Sequence, residues 1–530
     1  MSGIESKKEA KKCNMIKEAV SAHNVPDLSF ALIVSFLFLV VAGITSANHE
    51  MWRDELQSWL ISRDSSSPLA IFHNIRYEGH PFLWFLLIWP FTRITDSPEV
   101  IQLVNVLFAA AAIFVIGAFA PVSRWARGAV AFGYFPLYEY GSIARNYAIG
   151  LLALVSFCAI FPHRRKKPLV AGVLLFLAAN ASLHACILAV AAVVVLALEL
   201  LRYPPEPSSR ASAWTGIGIA CGGIALSIFQ MIPPADTGFA AGWNFTLDGS
   251  VLEQVLQTIT NAYLPLRKTG PDFWESGLFA SVPLYDRYTY IGGLIFFTLA
   301  SLSLIRRPAA LAYYLTGSLG LLLFFYIKYS GFIRHHGFLF ISFCTAVWLA
   351  RTMNPIALPK PLNAAGLWAE RCMAVLAPII LTAQIAGATI AVAAENKYVF
   401  SAAKSTANVI RQNKLDSLPL VAGEDFMTVA VIGYLNKNRV FYPSGRRWGS
   451  YIIWDKLRDT HYYVWRESIF LARELHSPVV VVIDEFTLKN NPPPVSIESI
   501  LQLVACRKGE IVPTESFCVF LLGTAALIQQ

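Results

Sequence analysis

Charge is scarce in this sequence: Asp, Glu, Lys and Arg supply 15% of the 530 residues while hydrophobic residues supply 55%. An ordinary soluble domain carries roughly 25% charged residues. A water-soluble core cannot absorb that much apolar surface, so a soluble globular class is excluded. Cysteines are few, eight in all, and they form neither a CxxC pair nor a zinc spacing. Internal repeats are missing too, which argues against the duplicated halves of many transporters. The first long apolar run follows a basic, polar tail and lacks a small-residue cleavage site. It reads as an uncleaved first span instead of a signal peptide.

What is present is a series of long apolar runs. Leu28 to Ile44, Pro168 to Leu201 and Ile291 to Ile305 are long enough to cross the roughly 30 Å hydrocarbon layer as helices. The chain therefore reads as an all-α polytopic membrane protein. Its net charge of +9 is scattered between the apolar runs, where it orients helices and makes no nucleic-acid surface.

Basic clusters set the topology. They fall at Lys7 to Lys17, at Arg124 and Arg127, at Arg164 to Lys167, at Arg202 and Arg210, at Arg306 and Arg307, and at Arg351, Lys360 and Arg371. Each is expected on the cytoplasmic side, so an even number of spans must separate consecutive clusters. The run Pro81 to Phe91 is too short to cross and is expected to dip into the membrane from the first outer loop. About eleven spans result. The expected organisation is a cytoplasmic tail over 1–27, a transmembrane domain over 28–394 with a first outer loop over 47–97, and an extracytoplasmic domain over 395–530. In that last part LPLVAG, RVFYPSG and PVVVVIDEF look like strands and VWRESIFLARELH like a helix, a pattern that predicts a small α/β domain. Cys506 and Cys518 fall there and are either a bridge or two core thiols.

Polar residues concentrate at the outer helix ends. MWRDELQSWL puts Asp54 and Glu55 just beyond the first span, where a carboxylate can act as a general base or can form an ion pair with Arg53. YEGHPFLWF places Glu78 and His80 before Pro81, which suits a first helical turn; they can hold a polar substrate or cap the interface. YEYGSIARNYAIG brings Glu139, Arg145, Asn146 and Tyr147 to an outer turn, and KYSGFIRHHGFLF brings Lys328, Arg334, His335 and His336 to another. Cations on the outer side run against the positive-inside trend, so they call for an anion. A phosphate suits the planar guanidinium fork, and the bland alternative is an ion pair with Glu139 or an outer-loop carboxylate. His184 reads as a packing histidine.

In order and spacing, these pieces resemble the type C glycosyltransferases that use polyprenyl-phosphate sugars, as in lipopolysaccharide-modifying and protein O-mannosylating membrane enzymes. The resemblance covers roughly the first 200 residues. It rests on Arg53-Asp54-Glu55, on His80-Pro81-x-Leu83 and on Glu139 followed by Arg145, Tyr147 and Ala148. Phe82 stands where the family often has a second proline. The resemblance implies a polyprenyl-phosphate sugar as donor and a glycolipid, polysaccharide or protein hydroxyl as acceptor. It further implies Asp54 as the base, with Glu55 its rival, and Arg145 as a phosphate ligand assisted by Arg334 or His335. The implied place is a bacterial inner membrane, with the site facing the periplasm. No cofactor or metal is demanded by the residues, although a divalent cation remains compatible with them. A polytopic transporter or flippase for a lipid-linked sugar is the competing reading, and a non-catalytic lipid-sugar binder is a third.

Overall fold

A computed structural model describes residues 26–239, 242–274, 276–277, 283–459 and 463–523, with the side chains of 283–287 left aside. Nearly all of the expected cytoplasmic tail, including its lysines, lies outside the described residues. The helices, in chain order, are α1 Leu28–Asn48, α2 Arg53–Asp64, α3 Pro68–Asn74, α4 Leu83–Ile88, α5 Val100–Phe119, α6 Arg124–Ala131, α7 Tyr147–Ile160, α8 Pro168–Ala181, α9 Leu183–Arg202, α10 Pro207–Met231, α11 Gly249–Tyr263, α12 Pro283–Leu304, α13 Pro308–Ile327, α14 Ile333–Arg351 and α15 Lys360–Glu395. Among the described residues, α1, α5, α9, α10, α13, α14 and α15 are long and apolar enough to cross a membrane. The chain is a helical membrane protein with a small C-terminal sheet.

Two local features shape the bundle. Gly172 of α8 and Gly216 of α10 meet so closely that a Cβ on Gly172 would lie 2.2 Å from the Gly216 carbonyl oxygen, the close backbone approach that small residues permit between helices in lipid. Between α6 and α7 the chain forms a π-helical segment, Tyr134–Ser142, and then an irregular stretch through Asn146. Non-helical backbone inside a bundle needs internal partners. The buried Asn105 supplies them, its Nδ2 donating to the carbonyls of Tyr140, Gly141 and Ile143 at 3.0 to 3.1 Å.

The loop between α1 and α5 is structured. It holds α2, α3 and α4, and α4 is six residues long, far too short to cross. Beyond α15 come α16 Ala403–Gln412, β1 Leu420–Ala422, α17 Asp425–Leu435, β2 Val440–Tyr442, β3 Arg447–Gly449, α18 Val464–Leu475, β4 Val479–Asp484, α19 Glu485–Asn490, β5 Leu501–Arg507 and β6 Phe517–Leu522. The strands make one mixed sheet in the order β3-β2-β1-β4-β6-β5. Strands β2, β1 and β4 run parallel, and β4, buried along its whole length, has the continuous apolar character of a strand covered on both faces. The disulfide Cys506–Cys518 joins residues paired across β5 and β6.

This sheet domain and the first loop share a core. Leu56, Trp59 and Leu60 of α2 and Trp84 of α4 pack with Val431, Ile432 and Leu435 of α17 and Val480 of β4. Gln57 clasps the Ile452 backbone from both sides, donating to its carbonyl and accepting from its N–H at 3.0 Å each. Two segments that bury one core lie on the same side of any membrane.

Candidate functional site

The site forms where the C-terminal end of α1, the start of α2, the stretch before α7 and the start of α14 converge. Asp54 is the second residue of α2. Its Oδ2 lies 2.5 Å from Arg145 Nη1 and 3.6 Å from Arg334 Nη2. Arg145 sits on the irregular stretch before α7, and Arg334 on the first turn of α14. Three separate elements thus deliver one carboxylate and two guanidiniums to a single point. The outer-loop carboxylate that the sequence offers these arginines as an alternative to phosphate is therefore Asp54. Arg53 turns elsewhere, its Nη1 3.5 Å from Glu515 Oε1.

The surroundings fix the two arginines. Arg145 Nη2 lies 3.3 Å from His80 Nε2. The Arg334 guanidinium is enclosed by the rings of Trp52, Trp274 and Phe332 at 5.2, 5.5 and 4.6 Å, which hold a cation by its attraction to their faces. Glu139 does not reach Asp54. It accepts from Tyr134 Oη at 2.7 Å and from Trp274 Nε1 at 3.2 Å, so it steadies one wall of the cage around Arg334. Tyr147 Oη lies 2.9 Å from His335 Nε2. The Phe332 N–H donates to His335 Nδ1 at 2.9 Å, so the ring proton is assigned to Nε2, which then donates to Tyr147. His184 stacks on His335 at 4.8 Å, and neither of its ring nitrogens has a hydrogen-bond partner among the described residues. Lys328, at the end of α13, lies 4.8 Å over the Trp243 ring and is not brought to the Asp54 cluster by any ion pair described.

Glu55, although adjacent to Asp54, points into the protein and is fully buried. Successive helical residues diverge by about 100°. Its Oε2 meets His49 Nε2 at 2.8 Å and the Trp52 N–H at 3.2 Å, and its Oε1 accepts from the Ala144 N–H at 2.6 Å. One carboxylate therefore ties the start of α2 to the residue preceding Arg145. His49 in turn bonds Glu395 Oε1 at 3.0 Å, and Tyr138 donates to Glu395 Oε2 at 2.6 Å. Glu515 accepts the Arg53 N–H at 3.1 Å and the Ser401 hydroxyl at 2.6 Å, so the sheet domain caps the helix that carries Asp54.

Charge states follow from these contacts. A general base with an ordinary carboxylate needs its affinity for protons raised; burial alone would raise that of Asp54, but Arg145, Arg334 and Arg53 overcome it and hold the carboxyl below its usual range. At Glu78 burial outweighs the pull of Arg145. Burial pushes it up to about 7, although Gln57 Nε2 donates to it at 2.9 Å. Burial, with Arg145 next, drives His80 down to about 3, so it is neutral. His49 goes the other way: burial opposes charging, yet Glu55 and Glu395 raise it to about 10.

Sequence reasoning found Asp54, Arg145 and Arg334 but missed His49, Trp52, Glu395 and Glu515. A signal was present for His49 and Trp52, which belong to the same HEMWRDE run as Asp54, and for Glu395, an acid closing a long apolar helix. Nothing local marked Glu515. Among the described residues, no three His, Cys, Asp or Glu side chains converge as a metal-ligand set. No family model matches this chain, and no curated protein matches it in sequence.

Proposed function

We propose that this protein is a membrane glycosyltransferase that moves a sugar from a polyprenyl-phosphate donor to an acceptor hydroxyl on the non-cytoplasmic face. The observation that carries this reading is the convergence of Asp54, Arg145 and Arg334. It supplies a proton acceptor beside a two-guanidinium anion site, as attack at a phosphate-linked anomeric carbon requires. The alternative, an inert ion pair, leaves unexplained why two buried arginines are supplied for one carboxylate.

In this reading Asp54 is the base and Arg145 and Arg334 hold the phosphate. Glu55, with both oxygens engaged, is a positioning residue. His80, within reach of Arg145, and Glu78, bonded to Gln57, suit the sugar or acceptor. Tyr147 and His335 orient the Arg334 side of the pocket. Inversion at the anomeric carbon is expected from a single displacement.

About eleven crossings accommodate the arrangement: the seven long helices, the shorter apolar helices α7 and α8, the apolar part of α12 from Tyr288 to Leu304, and the broken stretch from Arg124 to Ser142. The non-cytoplasmic side is favoured by the Cys506–Cys518 disulfide, since such bonds persist in oxidising compartments. It is favoured also by Arg124 and Arg127, which flank Asp27 at the opposite end of α1. Mass spectrometry of envelope glycolipids and glycoproteins from a strain lacking this chain tests the proposal. Loss of one sugar substituent is expected, and an unchanged envelope profile contradicts it.

A further inference from the structure

The Asp54 ion pair has a geometry that bears on how the proposed reaction begins. Both guanidiniums approach the same carboxylate oxygen, Oδ2, although they come from elements distant in sequence. The arginine side chains are 8% and 7% exposed, whereas Asp54 is 26% exposed. The carboxylate is thus the most exposed of the three groups and the cations are the more enclosed. Arg334 Nε is buried and has no hydrogen-bond partner among the described residues, so the site keeps an unused donor while Asp54 is seated.

We infer that Asp54 is the resident occupant of the phosphate site: its carboxylate covers Arg145 and Arg334 in the unloaded protein, and the donor phosphate displaces it, which frees it to take the acceptor's proton. This rests on the transferase reading. Charge bookkeeping agrees with it. Two guanidiniums, one carboxylate and a singly charged phosphodiester sum to zero. In the transfer step the acceptor oxygen bonds to the anomeric carbon, and the bond from that carbon to the phosphate oxygen breaks with its electron pair going to phosphate. The acceptor proton moves to Asp54. Two guanidiniums then face a dianionic phosphate monoester and a neutral Asp54, and the sum is again zero. Seated on two arginines, Asp54 is a poor proton acceptor; displaced from them, it loses the contacts that hold its proton affinity down. The base is switched on by the substrate it serves.

Binding of polyprenyl monophosphate to the full chain in detergent, measured by calorimetry, tests the exchange. Removing a competing ligand strengthens binding, so Asp54→Asn is expected to bind the probe about tenfold more tightly than the wild type, and Asp54→Ala should do the same. Glu78→Gln removes a nearby carboxylate that is not seated on the arginines and should produce a much smaller gain. In the wild-type chain, the probe should increase carbodiimide modification of Asp54. Equal gains in Asp54→Asn and Glu78→Gln overturn the exchange, as does protection of Asp54 by the probe. Unchanged binding in Asp54→Asn, with binding lost in Arg145→Ala, overturns the exchange while leaving the transferase reading in place. Wild-type binding in both Arg145→Ala and Arg334→Ala overturns the transferase reading itself.

Discussion

At the scale of single residues, Arg145 is the most informative position. Its guanidinium forms an ion pair with Asp54 and lies within reach of His80, and a charge-assisted contact of this kind contributes about 1.5–3 kcal/mol. Arg145→Ala is therefore expected to weaken binding of a polyprenyl-phosphate donor by about 10- to 100-fold. Arg145→Lys should recover only part of this, because it keeps the charge and loses the fork. Donor binding measured on the three proteins decides the point, and equal affinities would move the phosphate site elsewhere. A second residue-scale expectation concerns pH. Burial raises Glu50, Glu78 and Glu515 from 4.5 to about 7; their contribution to stability is fully present below about pH 4.5 and is lost as pH rises through about 7. The two carboxylates flanking His49 raise it from 6.5 to about 10, so its contribution is present below about 6.5 and is lost as pH rises through about 10. Both slopes have the same sign. Thermal unfolding in detergent should show Tm falling between about pH 7 and pH 10, above the range in which the buried neutral His80 gives the opposite slope, and a rise between about pH 7 and pH 10 would contradict these protonation states. Asp54 and Arg145 are legible in the sequence because each violates a local expectation: an acid and a cation at the ends of long apolar runs. The low proton affinity of Asp54 was not legible, since it depends on two arginines that only the fold brings to it.

Among the elements, the pairing of α2 with α17 decides how the site is held. Leu56 is fully buried in the core that the two helices share, and a Cβ on Gly433 would lie 2.7 Å from the Leu56 Cβ, so little room exists for repacking. Leu56→Ala should destabilise the protein by about 2–5 kcal/mol. Because α2 carries Asp54, the change should also loosen the sheet domain. Limited proteolysis is expected to cut the region after Glu395 sooner in the variant, and an unchanged cleavage pattern would show that the two parts are not coupled through this contact. Strands β1, β2 and β4 and helix α18 were readable from their apolar patterning, and the short run after His80 was readable as non-spanning from its length. Strands β5 and β6 are not legible in the sequence, because LQLVACR and FCVFLL lack a clean alternation. The sequence presents the segment before Arg145 as a simple turn. It is buried instead, and its backbone is satisfied by Asn105, a polar residue inside an apolar helix whose partners lie dozens of residues away.

For the whole molecule, the shared core of the first loop and the C-terminal domain makes sidedness a single question with one answer for both. With the free cysteines replaced, Ser66→Cys and Lys489→Cys, both exposed positions, should be labelled in intact cells by an impermeant reagent. Ser208→Cys, in the first turn of α10 beside Arg202 and Arg210, should be labelled only after permeabilisation. Labelling of Ser66 and Lys489 only after permeabilisation would invert the proposed topology and place the site in the cytoplasm. The central claim is that the outer cluster performs sugar transfer with Asp54 as its base. It is tested most directly by turnover of the purified chain in lipid, supplied with polyprenyl-phosphate sugars and envelope acceptors and followed through release of free polyprenyl monophosphate. Asp54→Asn keeps size and polarity while removing the proton acceptor, and a positioned general base contributes about 10²- to 10⁴-fold. The account predicts release by the wild type and a loss of that order in a folded, donor-binding Asp54→Asn protein; wild-type turnover in the variant would contradict it.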